Sequence, residues 1–169
     1  MIEISIKTQT LTLLRDKEII LKYPISSAKK GIGQLKNSNC TPLGDHIVRA
    51  KIGAGYPMYA IFHARRWSGE LWGADYKIGS EDLILSRILW LSGTEVGFNR
   101  LENVDTMQRF IYIHGTHDEE NIGQPVSHGC IRMKNKDGST LLELVNVVEK
   151  VVRTEVFYCK KNDICCLVG

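Results

Sequence analysis

The sequence predicts a mainly β fold with one main α-helix, and three patterns support this prediction. Apolar and polar residues alternate from Ile2 to Lys7, as expected of a strand with one buried face. Two further apolar runs flank the polar residues 15–18, which is the spacing of a β-hairpin. Leucines and valines recur at helical spacing only over residues 137–153.

The remaining elements follow from the same rules, taken in chain order. Pro24 ends the hairpin because it lacks a backbone donor. The Ser-, Gly- and Asn-rich segment after it forms a long loop over residues 26–45. β-branched and aromatic runs predict strands at residues 46–52, 58–62, 84–91, 110–114 and 157–158. Glycine-rich or polar segments predict turns or loops at residues 53–57, 68–73, 97–106 and 118–125.

The start of the predicted helix carries two candidate caps. Thr140 with Glu143 three residues later fits a capping box. Asp137 is the alternative cap. The β-branched valines of the second half weaken the helix propensity.

Length and composition limit the class of protein. A chain of 169 residues fits one domain, which we place at residues 1–160 with a tail at 161–169. Its net charge of +3 is small, and its basic residues are scattered rather than clustered as in a nucleic-acid-binding protein. No apolar segment approaches the ~20 residues of a membrane span. No signal peptide is evident, so we expect a cytoplasmic protein, or a periplasmic one if the native N-terminus is missing.

The cysteine pattern argues against a disulfide framework and against zinc. The five cysteines are an odd number without a Cys-x-x-Cys pair: Cys40, Cys130, Cys159, Cys165 and Cys166. Free thiols suit a reducing compartment. We therefore expect neither a metal nor another cofactor.

The most informative segment is Ser-His-Gly-Cys-Ile-Arg at residues 127–132, with His114-Gly115-Thr116 upstream. A thiol becomes a nucleophile when its pKa is lowered or a base takes its proton, and two imidazoles near one thiol can do either. We predict that Cys130 is a nucleophile and that His114, at a strand end, is its general base. The strand places Ile111 and Ile113 on one face and His114 on the other.

Neighbouring residues suggest further roles. Gly129 allows a sharp turn beside the thiol, and the N–H groups of Gly129 and Cys130 can face a developing oxyanion. Arg132 can hold a substrate carboxylate.

Three other kinds of protein remain open at this point. A thiol redox protein would pair Cys130 with Cys40. A metal site would draw on His114, His117, His128 and Cys130, although their spacing matches no usual pattern. The third alternative is a binding module that keeps the site without catalysing a reaction.

The motif resembles that of a known family. Residues 114–116, Ile-Gly-Gln-Pro-Val at residues 122–126 and Ser-His-Gly-Cys-Ile-Arg-Met at residues 127–133 are together similar to the L,D-transpeptidase (YkuD-type) catalytic domain. Tyr-Pro-Ile-Ser-Ser at residues 23–27 and Thr-Pro-Leu-Gly at residues 41–44 resemble two further elements of it. The resemblance spans residues 2–158. It implies two packed mixed β-sheets, of sandwich or half-barrel character, with a helix after the catalytic motif.

The resemblance also implies an activity and a set of site residues. Enzymes of this family cleave the bond between the diamino acid and the terminal D-alanine of a peptidoglycan tetrapeptide, and they pass the acyl group from a cysteine to an amine or to water. Cys130 then corresponds to the nucleophile, His114 to the base, the Gly115 carbonyl to the third member and His128 to a second histidine lining the site. We expect the substrate to contact the flanking motif residues: Thr116, Ser127, Gly129 and Arg132.

The expected partners follow from the same resemblance. They are a stem peptide or muropeptide and, as inhibitors, carbapenems that acylate the cysteine. Because no export signal is evident, we favour water as acceptor, which makes the chain an L,D-carboxypeptidase of muropeptide recycling. Transpeptidation that cross-links cell-wall peptidoglycan is the alternative.

Other conspicuous side chains are expected to have structural roles. No basic stripe interleaves the tryptophans, which argues against nucleic-acid stacking by Trp67, Trp72 and Trp90. His46 and His63 belong to no motif. Tyr56 and Tyr59 fit a substrate groove or the core equally well.

Overall fold

The computed structural model describes residues 1–77, 79 and 82–154, and they form a mainly β fold with one α-helix. The predicted strand at residues 157–158, the tail at 161–169 and three cysteines lie outside the described residues. The ten strands are β1 Ile2–Ser5, β2 Thr10–Arg15, β3 Glu18–Pro24, β4 Gly44–Ile52, β5 Ala60–His63, β6 Arg66–Leu71, β7 Ile84–Gly93, β8 Tyr112–Gly115, β9 Ile131–Met133 and β10 Lys150–Thr154. Helix α1 is Asn135–Leu144, and 3-10 turns occupy Glu102–Val104 and Glu119–Asn121.

The strands form a mixed sheet whose pairing runs β3-β2-β1-β10-β4-β7-β5-β6. The sheet branches at β7, because β8 pairs with β7 and then with β9. Parallel pairs join β1 to β10 and β8 to β9, and the remaining strand pairs are antiparallel. The mainly β fold with a mixed sheet and one helix after the motif is therefore confirmed.

The main core lies between the sheet and α1. Alternation buries Ile2, Ile4 and Ile6 as predicted, and β8 and β9 contribute Ile113 and Ile131. The helix adds Leu141 and Leu142 to this cluster. Full burial of one such side chain stabilises a fold by about 1.5–3 kcal/mol, so these contacts fix β8 and β9 firmly against the core.

The predicted helix over residues 137–153 is wrong in its second half. Helix α1 ends at Leu144, and Val145 is already extended. Val148 has a positive φ of 64°, and β10 begins at Lys150. β-branched valines favour an extended strand, and pairing with both β1 and β4 settles the competition.

The predicted caps of this helix are also wrong. The residue before the first turn is Lys134, which makes no side-chain cap. Instead, the Asn135 N–H donates to Glu119 Oε1 at 2.7 Å. Thr140 lies inside the helix, where its hydroxyl donates to the Lys136 carbonyl at 3.2 Å.

Two other segments differ clearly from the prediction, and several strand ends differ by one or two residues. Most of residues 68–73 belong to β6 rather than to a loop, since Phe62 pairs with Trp67 and Ala60 with Leu71. The strand predicted at residues 110–114 begins only at Tyr112, because Phe110 has a positive φ of 56°. The long loop before β4 is present and carries three isolated β-bridges. Among the described residues, no helix has the length and apolarity needed to span a membrane.

Candidate active site

The parallel pairing of β8 and β9 places His114 and Cys130 on one face of the sheet. Ile113 pairs with Ile131, and both side chains point into the main core. Because side chains alternate along a strand, Tyr112 and His114 point to the opposite face. Cys130 directly precedes β9 and packs against the second apolar cluster, which contains Tyr112. The thiol and the imidazole therefore share the face that α1 does not cover.

The Cys130 thiol is protonated in this structure's electrostatic environment. Its sulfur donates to the Phe110 carbonyl at 3.4 Å and accepts from the Tyr112 N–H at 3.3 Å. Burial of the sulfur raises the pKa of Cys130 to about 11, and Asp82 adds to the rise. The Tyr112 N–H opposes this rise but does not cancel it. The two histidines thus do not make a resting thiolate, and activation requires a base.

The His114 ring has the tautomer that a general base needs. Its Nδ1 lies 2.7 Å from the Gly115 carbonyl, which can only accept, so Nδ1 carries the proton. Burial lowers the pKa of His114 below its usual 6.5, although Asp82 and the Gly115 bond act in the opposite direction. The ring is therefore neutral at pH 7, and its Nε2 lone pair can accept a proton.

The turn before Cys130 depends on Ser127 and Gly129. The Ser127 hydroxyl donates to the Cys130 carbonyl at 2.6 Å and accepts from the Gly129 N–H at 3.2 Å. Gly129 has a φ of 130°, a conformation that side-chain-bearing residues rarely adopt. Because the Gly129 N–H already binds Ser127, it does not face an oxyanion, contrary to our expectation. Ser127 is fully buried and holds the turn.

The loop before β4 clamps the motif from outside. Ser26 and Arg132 exchange two backbone hydrogen bonds of 2.9 Å. The Ser127 backbone N–H donates to the Ser27 carbonyl at 2.9 Å. The Thr41 hydroxyl donates to the Gly129 carbonyl at 3.0 Å. Both segments singled out by the resemblance, residues 23–27 and 41–44, therefore contribute residues that hold the backbone around the thiol.

The Arg132 guanidinium pairs with two carboxylates of this chain and does not project into solvent. Its Nη2 lies 2.6 Å from Asp82 Oδ2, its Nη1 lies 3.4 Å from Asp118 Oδ2, and the side chain is buried. This geometry differs from the expected grip on a substrate carboxylate. His128 is largely exposed, and its Nδ1 lies 3.3 Å from the same Asp82 oxygen.

Asp82 is a site residue that sequence reasoning missed. Burial alone would raise its pKa, but His114 and Arg132 outweigh burial and hold the pKa below its ordinary value. The carboxylate is therefore ionised beside the His114 imidazole. No motif marks this aspartate, because its position depends on β7 lying next to β8.

A buried polar network supports the turn that follows His114. Asn135 donates to the Thr116 carbonyl at 2.7 Å and to Glu119 Oε1 at 2.6 Å, and it accepts from the Ser86 hydroxyl at 2.7 Å. Thr116 is fully buried and its hydroxyl accepts from the Asp118 N–H at 3.1 Å. Thr116 is thus part of the scaffold rather than an exposed substrate contact. Asn135 and Ser86 were not predicted, although Asn135 closely follows the motif.

His46 and His63 are not among the residues described around Cys130. His46 is buried and bonded to Gly44 and Thr106, whereas His63 is exposed. Cys40 and Cys130 are both free thiols. Over residues 1–77, 79 and 82–154, no three His, Cys, Asp or Glu side chains are grouped to hold a metal ion.

The aromatic residues singled out in the sequence differ in their exposure. Trp72 packs against Tyr76 and His117, and Trp90 packs against Phe110 and Tyr112. Trp67, Tyr56 and Tyr59 are exposed, and Tyr56 contacts the Trp67 ring at 5.0 Å.

Comparison with known proteins gives a consistent result. Residues 1–152 match the YkuD family, described as the L,D-transpeptidase catalytic domain. A protein named putative L,D-transpeptidase YkuD of Bacillus subtilis is 27% identical over 155 residues, covering 92% of this chain and 64% of that protein. The chain therefore spans less than two thirds of this relative.

Solved structures support the fold. L,D-transpeptidase 3 from Mycobacterium tuberculosis, in complex with a faropenem-derived adduct, superposes with a TM-score of 0.57 at 18% identity, covering 91% of this chain and 59% of that one. LD transpeptidase LdtMt1 in complex with imipenem gives 0.55 at 19% identity, covering 90% and 57%. At these identities the likeness shows the fold alone.

Proposed function

Because this chain belongs to the YkuD family of L,D-transpeptidase catalytic domains, we propose that it catalyses cysteine-dependent acyl transfer on peptidoglycan stem peptides. Cys130 is the nucleophile and His114 the general base. The acyl donor is a tetrapeptide, which is cleaved at the bond between the diamino acid and the terminal D-alanine.

The observation that carries the proposal is the neutral His114 ring on the same face as the Cys130 thiol. The bond to the Gly115 carbonyl keeps the proton on Nδ1, so Nε2 is available as a base. With a thiol pKa of about 11, proton removal must accompany attack. A neutral thiol with a neutral imidazole is therefore the reactive pair.

The proposed reaction passes through a thioester on Cys130. Cys130 Sγ bonds to the carbonyl carbon of the diamino acid while its proton moves to His114 Nε2. The carbon–nitrogen bond then breaks, and the imidazolium returns the proton to the leaving D-alanine amine. A thioester remains on Cys130, and water or an amine attacks it with His114 again as base.

Two nearby groups fit the charges that develop in these steps. The Cys130 N–H donates to no atom among the described residues, and an oxyanion on the attacked carbonyl would lie beside it. The Asp82 carboxylate stabilises the transient imidazolium at His114, since opposite charges favour the protonated form.

The acceptor is a separate part of the proposal. Water as the favoured acceptor stays a prediction, as does the alternative of an amine acceptor that yields cross-links. We also propose that a carbapenem acylates Cys130, since one structural relative was solved in complex with imipenem.

Incubation with a disaccharide tetrapeptide, followed by mass spectrometry, tests both parts. Wild type should release D-alanine, whereas Cys130→Ala and His114→Gln should lose at least about 10³-fold in rate. Cys40→Ala, which removes another free thiol, is the matched control and should keep its activity.

The product mass identifies the acceptor. A tripeptide indicates water, and two joined stems indicate an amine. Equal activity of wild type and Cys130→Ala would contradict the proposed nucleophile. An inactive wild type that still binds the tetrapeptide would support the non-catalytic binding module instead.

A further inference from the structure

A second charged group lies on the same face as the thiol and is not used in the proposed steps. Arg65 belongs to the turn between β5 and β6, where His63 pairs with Arg66 and Ala64 has a positive φ of 56°. This turn places Arg65 against the side chains of Trp90, Phe110 and Tyr112.

The Arg65 guanidinium is held by three aromatic residues. Its Cζ lies 4.5 Å from the ring centroid of Trp90 and 5.0 Å from that of Phe110. Its Nη1 donates to the Tyr112 hydroxyl at 2.9 Å. Two cation–π contacts and one hydrogen bond therefore orient the guanidinium in the absence of a ligand.

The same aromatic residues connect Arg65 to the thiol. The Phe110 carbonyl lies 3.4 Å from Cys130 Sγ, and the Tyr112 N–H lies 3.3 Å from it. One tyrosine side chain thus separates the guanidinium from the sulfur. A peptide extends by about 3.3–3.6 Å per residue, so a group one or a few residues from the attacked carbonyl can reach Arg65.

The charge of Arg65 is not neutralised by the described part of the chain. Arg132 pairs with two carboxylates, but no described Asp or Glu lies within salt-bridge distance of Arg65. Its other N–H groups donate to no described residue. A partly exposed guanidinium that is oriented and unpaired is suited to bind a carboxylate through charge-assisted hydrogen bonds.

We propose that Arg65 binds a carboxylate of the donor stem peptide and positions the scissile carbonyl at Cys130. This inference rests on the proposed function, because it assumes a peptide donor at the same thiol. It assigns to Arg65 the binding role that the sequence suggested for Arg132.

A comparison of substrates and variants tests the proposal. Arg65→Gln should lower kcat/KM about 10- to 100-fold for a tetrapeptide with free carboxylates. Arg65→Lys should recover part of this loss, because it keeps the charge without the planar fork. Arg66→Gln, at the neighbouring exposed position, is the matched control and should match wild type.

Amidated substrates identify the carboxylate. If the terminal carboxylate binds Arg65, wild type and Arg65→Gln should act equally on a peptide amidated at its C-terminus. If an internal carboxylate binds Arg65, wild type and Arg65→Gln should instead act equally on a peptide amidated at that internal carboxylate. A loss that persists with every amidated peptide, or no loss at all, would overturn the proposal.

A binding measurement separates this inference from the proposed function. In a Cys130→Ala background, Arg65→Gln should weaken tetrapeptide affinity, measured by calorimetry, by a similar factor of about 10 or more. The rate of iodoacetamide alkylation of Cys130 in the Arg65→Gln protein should equal that of wild type, which shows that the thiol is undisturbed. Weakened binding in a chain without turnover would support Arg65 while contradicting the proposed reaction; unchanged binding would contradict Arg65.

Discussion

At the residue scale, the site is a pair of neutral groups rather than an ion pair. The Cys130 sulfur is surrounded by the Tyr112 and Phe110 backbone and by apolar side chains, so burial favours the thiol over the thiolate. Burial also favours the neutral form of His114. Both shifts have the same cause, which is loss of water around a charge. A protonated thiol is a weak nucleophile, so the sulfur must lose its proton before it attacks a carbonyl carbon.

This electrostatic state predicts the pH dependence of thiol alkylation. With a pKa of about 11, the thiolate fraction of Cys130 should rise tenfold per pH unit from pH 7 towards 11. Iodoacetamide modification of Cys130, followed by peptide mass mapping, should show this slope. The other cysteines are distinguished by their peptides. A plateau below pH 8 would indicate a resting thiolate–imidazolium pair and would contradict this description.

The residues that sequence reasoning missed share one physical property. Asp82 and Ser86 act through contacts that form only when β7 lies beside β8, and Asn135 acts by contacting Ser86 and Thr116. The motif marks the proposed nucleophile and base because their chemistry is rare among residue types. Supporting groups are ordinary polar residues, and only the fold brings them together. For Arg132 the motif predicted an interaction that the structure does not show. Its position suggested that it binds a substrate carboxylate, but in the folded chain it pairs with the carboxylate of Asp82.

At the element scale, the end of β8 depends on the absence of a side chain at Gly115. A Cβ there would meet the Leu85 carbonyl at 2.7 Å and would also overlap the Asn135 amide. Leu85 and Asn135 are both buried, so neither can move at low cost. The carbonyl that orients His114 belongs to this same glycine.

Gly115→Ala should therefore displace both the turn and the His114 ring. We expect a loss of about 2–4 kcal/mol in the free energy of unfolding, in the range of overpacking plus a broken buried network. Gly73→Ala is the matched control, because a Cβ there meets nothing within 4 Å. Urea denaturation and D-alanine release measure the two effects. A Gly115→Ala protein as stable and active as Gly73→Ala would contradict this close packing.

The elements themselves were largely predictable, and the exception is informative. Alternation identified β1, and the hairpin of β2 and β3 followed from its polar turn. The exception is the predicted helix, which extends too far along the chain because Val145, Val148 and Val152 continue the helical spacing. Spacing along the chain carries no information on the pairing of Val151 with Ile2 and with His46 in the sheet. Long-range pairing decides such segments.

At the scale of the whole molecule, the chain closes on itself. β10 inserts between β1 and β4, so the first and last described strands are neighbours. Nothing in the local sequence specifies this order. His46 lies at this junction on β4, paired with Val151, and its side chain reaches Thr106 in the loop before β8. It therefore couples the sheet to the segment that leads into the site.

This junction predicts how the stability of the molecule depends on pH. Burial and, to a smaller extent, the charge of Arg153 lower the pKa of His46 to about 2, although the bond to Gly44 opposes the shift. In the unfolded chain the histidine has its ordinary pKa of about 6.5. Below pH 6.5 the unfolded state thus binds a proton that the folded state excludes. Stability is fully present above this pH and falls as the pH drops.

His46→Gln isolates this effect, because an amide can donate to Gly44 and accept from Thr106 as the neutral ring does. Between pH 7 and 5, wild type should lose about 2 kcal/mol more of its free energy of unfolding than the variant. His63→Gln, at an exposed histidine, should follow wild type. Urea denaturation at each pH measures the difference. Parallel pH profiles for wild type and His46→Gln would mean that His46 takes up its proton without unfolding.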